Sequence, residues 1–266
     1  MDERRFFKFR EGENGEMVKP FLDHLEDLRW MIIKMAITLI IAMIVAFGFR
    51  IQLVQIIQWP LDSIDPDLAG NLQALGVADS MTISLQLAFY AGIVISFPFL
   101  LYFLAGFVMP ALTEKEKHVV IPAALVGFGL FLIGVFFSYF LVLPQALAFF
   151  FKDASKLNWV PSWTVREYYS FVSQFTIAFG LSFELPVAVL TCVKLGFLDA
   201  KRLGFFRPYA YVLILIFAAV ITPTQDIATL LLMGVPMIFL YEICVVIAHF
   251  MKKKSDEDVH EIESSE

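Results

Sequence analysis

The residue of this chain whose chemistry most needs a reason is a glutamate set in an apolar stretch. Glu184 is the one charged residue among the 26 that separate Glu167 from Lys194. In a helix rising about 1.5 Å per residue it lies roughly 15 Å from Lys194, near the middle of a ~30 Å hydrocarbon core. A carboxyl group at that depth is costly, and it marks a functional site by default. Low dielectric disfavours the charged form, so an unpaired Glu184 is expected to keep its proton and to donate a hydrogen bond. Two residues on, Pro186 has no N–H for the Ser182 carbonyl, and Gly180 removes bulk one turn earlier. The expectation is a polar notch of the Glu184 carboxyl, the Ser182 hydroxyl and a freed carbonyl at one depth. It either holds a polar side chain of a partner's transmembrane helix or is satisfied within this chain.

Two further acidic groups flank apolar stretches. In Phe21-Leu22-Asp23-His24-Leu25-Glu26-Asp27-Leu28-Arg29, a helix places Asp23, Glu26 and Asp27 at i, i+3 and i+4 on one face. The segment Pro110-Ala111-Leu112-Thr113-Glu114-Lys115-Glu116-Lys117-His118 is a short charged connection between two long apolar runs. The plain reading is a solvated helix start and a loop charged because it lies outside the membrane. The functional reading is a pair of carboxylate clusters for a cationic ligand, since carboxylates bind guanidinium groups bidentately and more strongly near low dielectric.

What must position these residues is a bundle of membrane helices. Apolar residues make up 59% of the 266, Phe accounts for 29 of them, and the mean hydropathy is +0.75. This excludes a soluble domain and predicts an all-α membrane protein. The net charge of −6 sits mostly in the terminal segments, which leaves no basic field for nucleic acid. Cys192 and Cys244 are isolated in apolar runs, so no metal site is expected. His24, His118, His249 and His260 lie at membrane ends or in tails and no HExxH is present, so neither an enzyme nor a cofactor is expected. The first 29 residues carry 14 charges and no apolar core, so no cleavable signal is expected there.

Six apolar spans are predicted, approximately at 30–49, 81–108, 119–143, 168–193, 209–221 and 227–250. Residues 1–18 and 252–266 read as flexible charged tails flanking a transmembrane domain at 19–251. Lys and Arg number 15 in the N-terminal segment, the second and fourth loops and the C-terminal tail, against 4 in the other loops. That asymmetry puts both termini in the cytoplasm. The 34 uncharged residues between Asp79 and Glu114, with Pro98 and Pro110, predict a long kinked second helix. The 33 from Val119 to Phe151, with Pro122 and Pro144, predict the same of the third. Helices five and six are expected to be short, joined by the outer turn Thr222-Pro223-Thr224-Gln225-Asp226. Gln52 to Gln58 is predicted as a short helix on the outer surface. A proton-coupled small-molecule transporter is the alternative that a mid-membrane carboxyl raises.

The sequence resembles the TatC family, the multispan core subunit of the twin-arginine protein translocase, along nearly all of residues 20–250. The resemblance is carried by His24-Leu25-Glu26-Asp27-Leu28-Arg29, by Ser96-Phe97-Pro98-Phe99 through Phe107-Val108-Met109-Pro110-Ala111-Leu112 to Glu116, and by Phe179-Gly180 to Phe183-Glu184-Leu185-Pro186. Ile221-Thr222-Pro223 with Asp226, and Pro236-Met237 with Leu240-Tyr241-Glu242, complete it. It implies a multi-pass protein of the bacterial cytoplasmic (inner) membrane that receives twin-arginine signal peptides. With single-span TatA and TatB-like partners, in an oligomeric complex drawing on the proton motive force, it would export folded proteins. By position the family's signal-binding acids fall on Asp27 and Glu116, with Phe107 at the aromatic position leading into the loop. The entry motif is commonly His-Leu-x-Glu-Leu-Arg, so Glu26 and Asp27 remain alternatives for the first acid. Arg29, Pro186, Asp226 and Glu242 are the other motif positions, and Gln225 stands where a Pro often precedes the Asp.

Overall fold

A computed structural model describes the backbone of residues 21–64, 70–222 and 226–263, and the side chains in those ranges except at 21–23, 111, 114, 115, 200, 201 and 251–263. The expected tail at 1–18 and the centre of the outer turn at 223–225 lie outside the described residues. Among the described residues the fold is helical, with one isolated bridge between Gln73 and Thr164 in place of any strand.

Helix α1 (Phe21–Gly48) packs lengthwise on α3 (Asp79–Val108), and α2 (Arg50–Asp62), which follows α1 in the chain, packs on α3 as well. Thirty residues of α3 accommodate Pro98 without ending the helix. The third apolar stretch starts as α4 (Glu114–Phe137), passes through a π-helical turn at Ser138–Val142 and continues as α5 (Leu143–Lys156). The Leu143 N–H reaches back to the Ser138 carbonyl. Pro144 follows immediately and has no N–H to donate, so the ladder absorbs the missing bond as a π turn. The expected interruption of the third helix therefore sits just ahead of Pro144.

Helices α6 (Val165–Ser182) and α7 (Glu184–Lys194) form the fourth stretch. Thr164 and Glu167 start α6 with a capping box, the Glu167 N–H donating to Thr164 Oγ1 at 3.1 Å. The α6 helix is the central post of the fold. Its Val172, Phe175 and Phe179 are fully buried, whereas Ile40, Ile41, Ile44 and Val45 of α1 stay exposed, as lipid-facing side chains do. A Phe97–Phe131 stack with centroids 3.6 Å apart ties α3 to α4 beside it.

The chain then forms α8 (Ala200–Phe205), α9 (Arg207–Ile221) and α10 (Ile227–Glu263). Among the described residues, five helical stretches are long and apolar enough to cross a membrane, 24–48, 79–108, 116–156, 165–194 and 227–250, so the chain is a multi-pass membrane protein. The apolar α9 has 15 residues, about 22 Å, which is short of a ~30 Å core. The sixth stretch is not short, contrary to expectation. Its 24-residue span, 227–250 as predicted, lies within a helix of 37, because Pro236 is accommodated inside α10 and helix-forming residues follow Phe250. The backbone of the expected C-terminal tail is thus helical as far as Glu263.

At the end of the bundle bearing the 50–78 and 157–164 loops, polar contacts lock the connections together. Tyr168 donates to the Ile57 carbonyl of α2 at 2.8 Å, and the Tyr139 hydroxyl donates to that of Ile56. The Gln73 N–H donates to the Trp163 carbonyl at 3.1 Å, and the Val165 N–H returns a bond to Gln73 at 2.9 Å. Asp79 is buried at the start of α3, where it accepts the Gly76 N–H at 2.6 Å and pairs with Arg166 at 3.3 Å.

Candidate functional site

Asp27 projects from α1 on the same face as Trp30, Met31 and Lys34, at i, i+3, i+4 and i+7. All four line a groove of about 740 Å³ that α1 shares with α3 and α4. Its far wall is apolar, built from Pro98, Tyr102 and Phe107 of α3 and from Ile121, Leu125 and Phe128 of α4. Asp27 is half-buried at the N-terminal end of α1, whereas Glu26 is exposed and does not line the groove. Of the two alternatives for the first acid, the geometry turns Asp27 inward. Arg29 is exposed on another face. The rim is stiffened by His24, whose ring stacks on Phe107 with centroids 4.5 Å apart and planes 15° from parallel.

Glu116 stands in the first turn of α4, beyond the groove lining. One of its carboxylate oxygens accepts the Thr113 N–H at 2.8 Å. This is the carboxylate half of a capping box with Thr113, which satisfies a helix-terminal donor. The structure brings Glu116 to the same end of the bundle as Asp27, on the helix that forms the opposite wall.

Deeper in the bundle the fourth stretch breaks at Phe183, between α6 and α7. The break sits where Pro186 would have driven its ring against the Ser182 carbonyl four residues earlier. Glu184 opens α7 half-buried, and its Oε1 is shielded with no hydrogen-bond partner. The notch is narrower than expected, because the buried Ser182 hydroxyl donates to the Ala178 carbonyl of its own helix at 2.7 Å. The Glu184 Oε1 is left there without a hydrogen-bond partner.

The remaining motif positions serve helix junctions. Asp226 accepts the Thr229 N–H at 2.8 Å and the Thr229 hydroxyl, capping α10. Glu242 joins α10 to α9, pairing with Arg207 at 3.2 Å and accepting the Tyr211 hydroxyl. Tyr241 donates to the Leu203 carbonyl at 2.9 Å. Among the described residues, no group of His, Cys, Asp and Glu could hold a metal ion.

Sequence reasoning missed His24 as a ring partner, Arg207 and Tyr211 as partners of Glu242, and Asp79 with Arg166 as a loop clamp. It also missed Gly127, where an added Cβ would stand 2.8 Å from the Glu184 carboxylate. The spacing of Gly127 and Gly134, two turns apart in an apolar run, was the available signal of a close helix approach.

These features define a multi-pass helical membrane protein with an apolar groove that has an acid at its mouth and a second carboxyl group at depth. Residues 23–236 match the model of the family described as Sec-independent protein translocase protein (TatC). The chain belongs to the TatC family. It is 45% identical over 183 residues to the TatC of Akkermansia muciniphila, a match covering 69% of this chain and 53% of that protein. Thus the matched region spans about half the length of that relative. Against the TatC of Deinococcus radiodurans identity is 33%, covering 90% of this chain and 89% of the relative. Against that of Aquifex aeolicus it is 32%, covering 90% and 98%. A crystal structure described as the twin arginine translocase receptor TatC superposes with a TM-score of 0.77 at 32% identity, over 85% of this chain and 98% of that one. None of these comparisons supports the alternative of a small-molecule transporter.

Proposed function

We propose that this chain is the signal-peptide receptor and multispan core of a twin-arginine translocase in a bacterial cytoplasmic membrane. The observation that carries the reading is the groove with Asp27 at its mouth and an apolar wall behind it. A signal peptide with two consecutive arginines and a following apolar segment presents the matching chemistry. Its guanidinium groups meet Asp27 and Glu116, with Phe107 and Glu26 as neighbours, and its apolar segment lies along α3 and α4.

The chain makes six crossings with both termini in the cytoplasm, as the 15 to 4 division of Lys and Arg supports. The short α9 is the fifth crossing and thins or tilts the lipid around it. Glu184 meets a polar side chain on the membrane helix of a single-span TatA or TatB-like partner, and cargo passes folded. The chain itself performs no bond chemistry and needs no cofactor. Crosslinkers placed at Tyr102 and Trp30 test this, using a twin-arginine peptide and its twin-lysine counterpart in membranes. Efficient adducts to the arginine peptide alone are expected. Equal adducts to both peptides, or adducts only to positions outside the groove, overturn the reading.

A further inference from the structure

Three glycines mediate the close approach of α4 to the fourth stretch, and one of them differs from the others. A Cβ at Gly134 would meet the Phe183 ring at 2.8 Å and the Phe179 carbonyl at 2.9 Å. One at Gly180 would meet Phe131 at 2.7 Å and Val135 at 2.9 Å. These two make room for rings and backbone, as small residues do where membrane helices touch. At Gly127 the three nearest atoms all belong to one carboxyl group, Glu184 Oε2 at 2.8 Å, Oε1 at 3.4 Å and Cδ at 3.5 Å. Gly127 is buried, and Oε1, the farther of the two carboxyl oxygens, has no hydrogen-bond partner. The space left by the missing side chain is thus filled first by the functional group of Glu184.

We propose that Gly127 is a positioning residue. It forms the back of a slot on α4 in which the Glu184 carboxyl is held, and this sets the direction in which the group is offered to whatever binds it. The inference rests on the reading above that Glu184 acts in translocation. Without the slot the carboxyl must swing out and away from α4, because its neighbour on that side would be carbon at less than van der Waals distance. Shortening the side chain by one methylene withdraws the carboxyl by about 1.5 Å and restores the space.

The test uses the full chain in membranes with its partner subunits, and compares Gly127→Ala, Gly127→Ala with Glu184→Asp, and Gly134→Ala. Two readouts are taken: transport of a folded twin-arginine substrate, and labelling of residue 184 by a hydrophobic carbodiimide, read by mass spectrometry of the peptide containing it. Crosslinking of a signal peptide to the groove checks that each variant is folded. Gly127→Ala is expected to label several-fold faster and to transport several-fold more slowly with normal peptide crosslinking. Glu184→Asp is expected to return the labelling to near the wild-type rate in that background. Gly134→Ala, whose clash is with a ring, is expected to leave labelling unchanged. Unchanged labelling in Gly127→Ala overturns the slot. Raised labelling with full transport overturns the positioning role while leaving the slot. Full transport by Glu184→Leu, by contrast, removes the underlying reading of Glu184 and is distinguishable from both.

Discussion

Replacing Asp27 with Asn is the sharpest test of the groove, because it removes charge and leaves size and shape nearly unchanged. Asp27 is half-buried among Trp30, Met31 and Phe107, so water screens it less than it would an exposed acid. A charge-assisted hydrogen bond from a guanidinium group contributes roughly 1.5–3 kcal/mol. At about 1.4 kcal/mol per factor of ten, Asp27→Asn should weaken a twin-arginine peptide by about 10- to 150-fold. Glu26 is exposed and outside the groove lining, and a solvent-exposed pair is worth about 0.2–1 kcal/mol. Glu26→Gln should therefore cost at most about fivefold. The assay is a fluorescence titration of labelled peptide against the protein in nanodiscs at two salt concentrations, with the twin-lysine peptide as reference. The Asn variant should lose most of the arginine-over-lysine preference and much of the salt dependence. A loss under threefold for Asp27→Asn, or a larger loss for Glu26→Gln, would refute the assignment of the groove-facing acid.

Three more outcomes follow from particular contacts. Glu184→Gln keeps a hydrogen-bonding group at the slot and should transport well, whereas Glu184→Leu should fail, measured as export of a folded reporter. If Gln fails as completely as Leu, proton transfer rather than hydrogen bonding is required. Asp79→Asn weakens both the bond from the Gly76 N–H and the pair with Arg166, so it should lower stability by about 1–3 kcal/mol in thermal unfolding while leaving peptide affinity intact. A double-mutant cycle on Arg207→Gln and Glu242→Gln should give a coupling of about 0.2–1 kcal/mol, because both side chains are partly exposed. A coupling near zero would mean that the Tyr211 hydroxyl alone carries the junction of α9 and α10.

The amino-acid sequence alone determined that the chain is a membrane helix bundle, where most of its apolar stretches begin and end, and which carboxyl group is buried at depth. Hydrophobic run length and isolated charges are local properties, and lipid reads them directly. It also made the break beside Glu184 legible, since Pro186 cannot complete a bond to Ser182. Other matters depend on what stands opposite. Asp27 and Glu26 are chemically alike and adjacent, and only the packing of α1 on α3 turns one into the groove. Ser182 looked available until its own helix supplied the Ala178 carbonyl. The continuation of α10 past Phe250 went unread because a charged run is equally compatible with a solvated tail and a solvated helix, and no local pattern separates the two. Gly127 has no side chain to signal a role. Its meaning lies in the carboxyl group that tertiary structure brings to 2.8 Å from an added Cβ, a contact between residues 57 positions apart that no local pattern encodes.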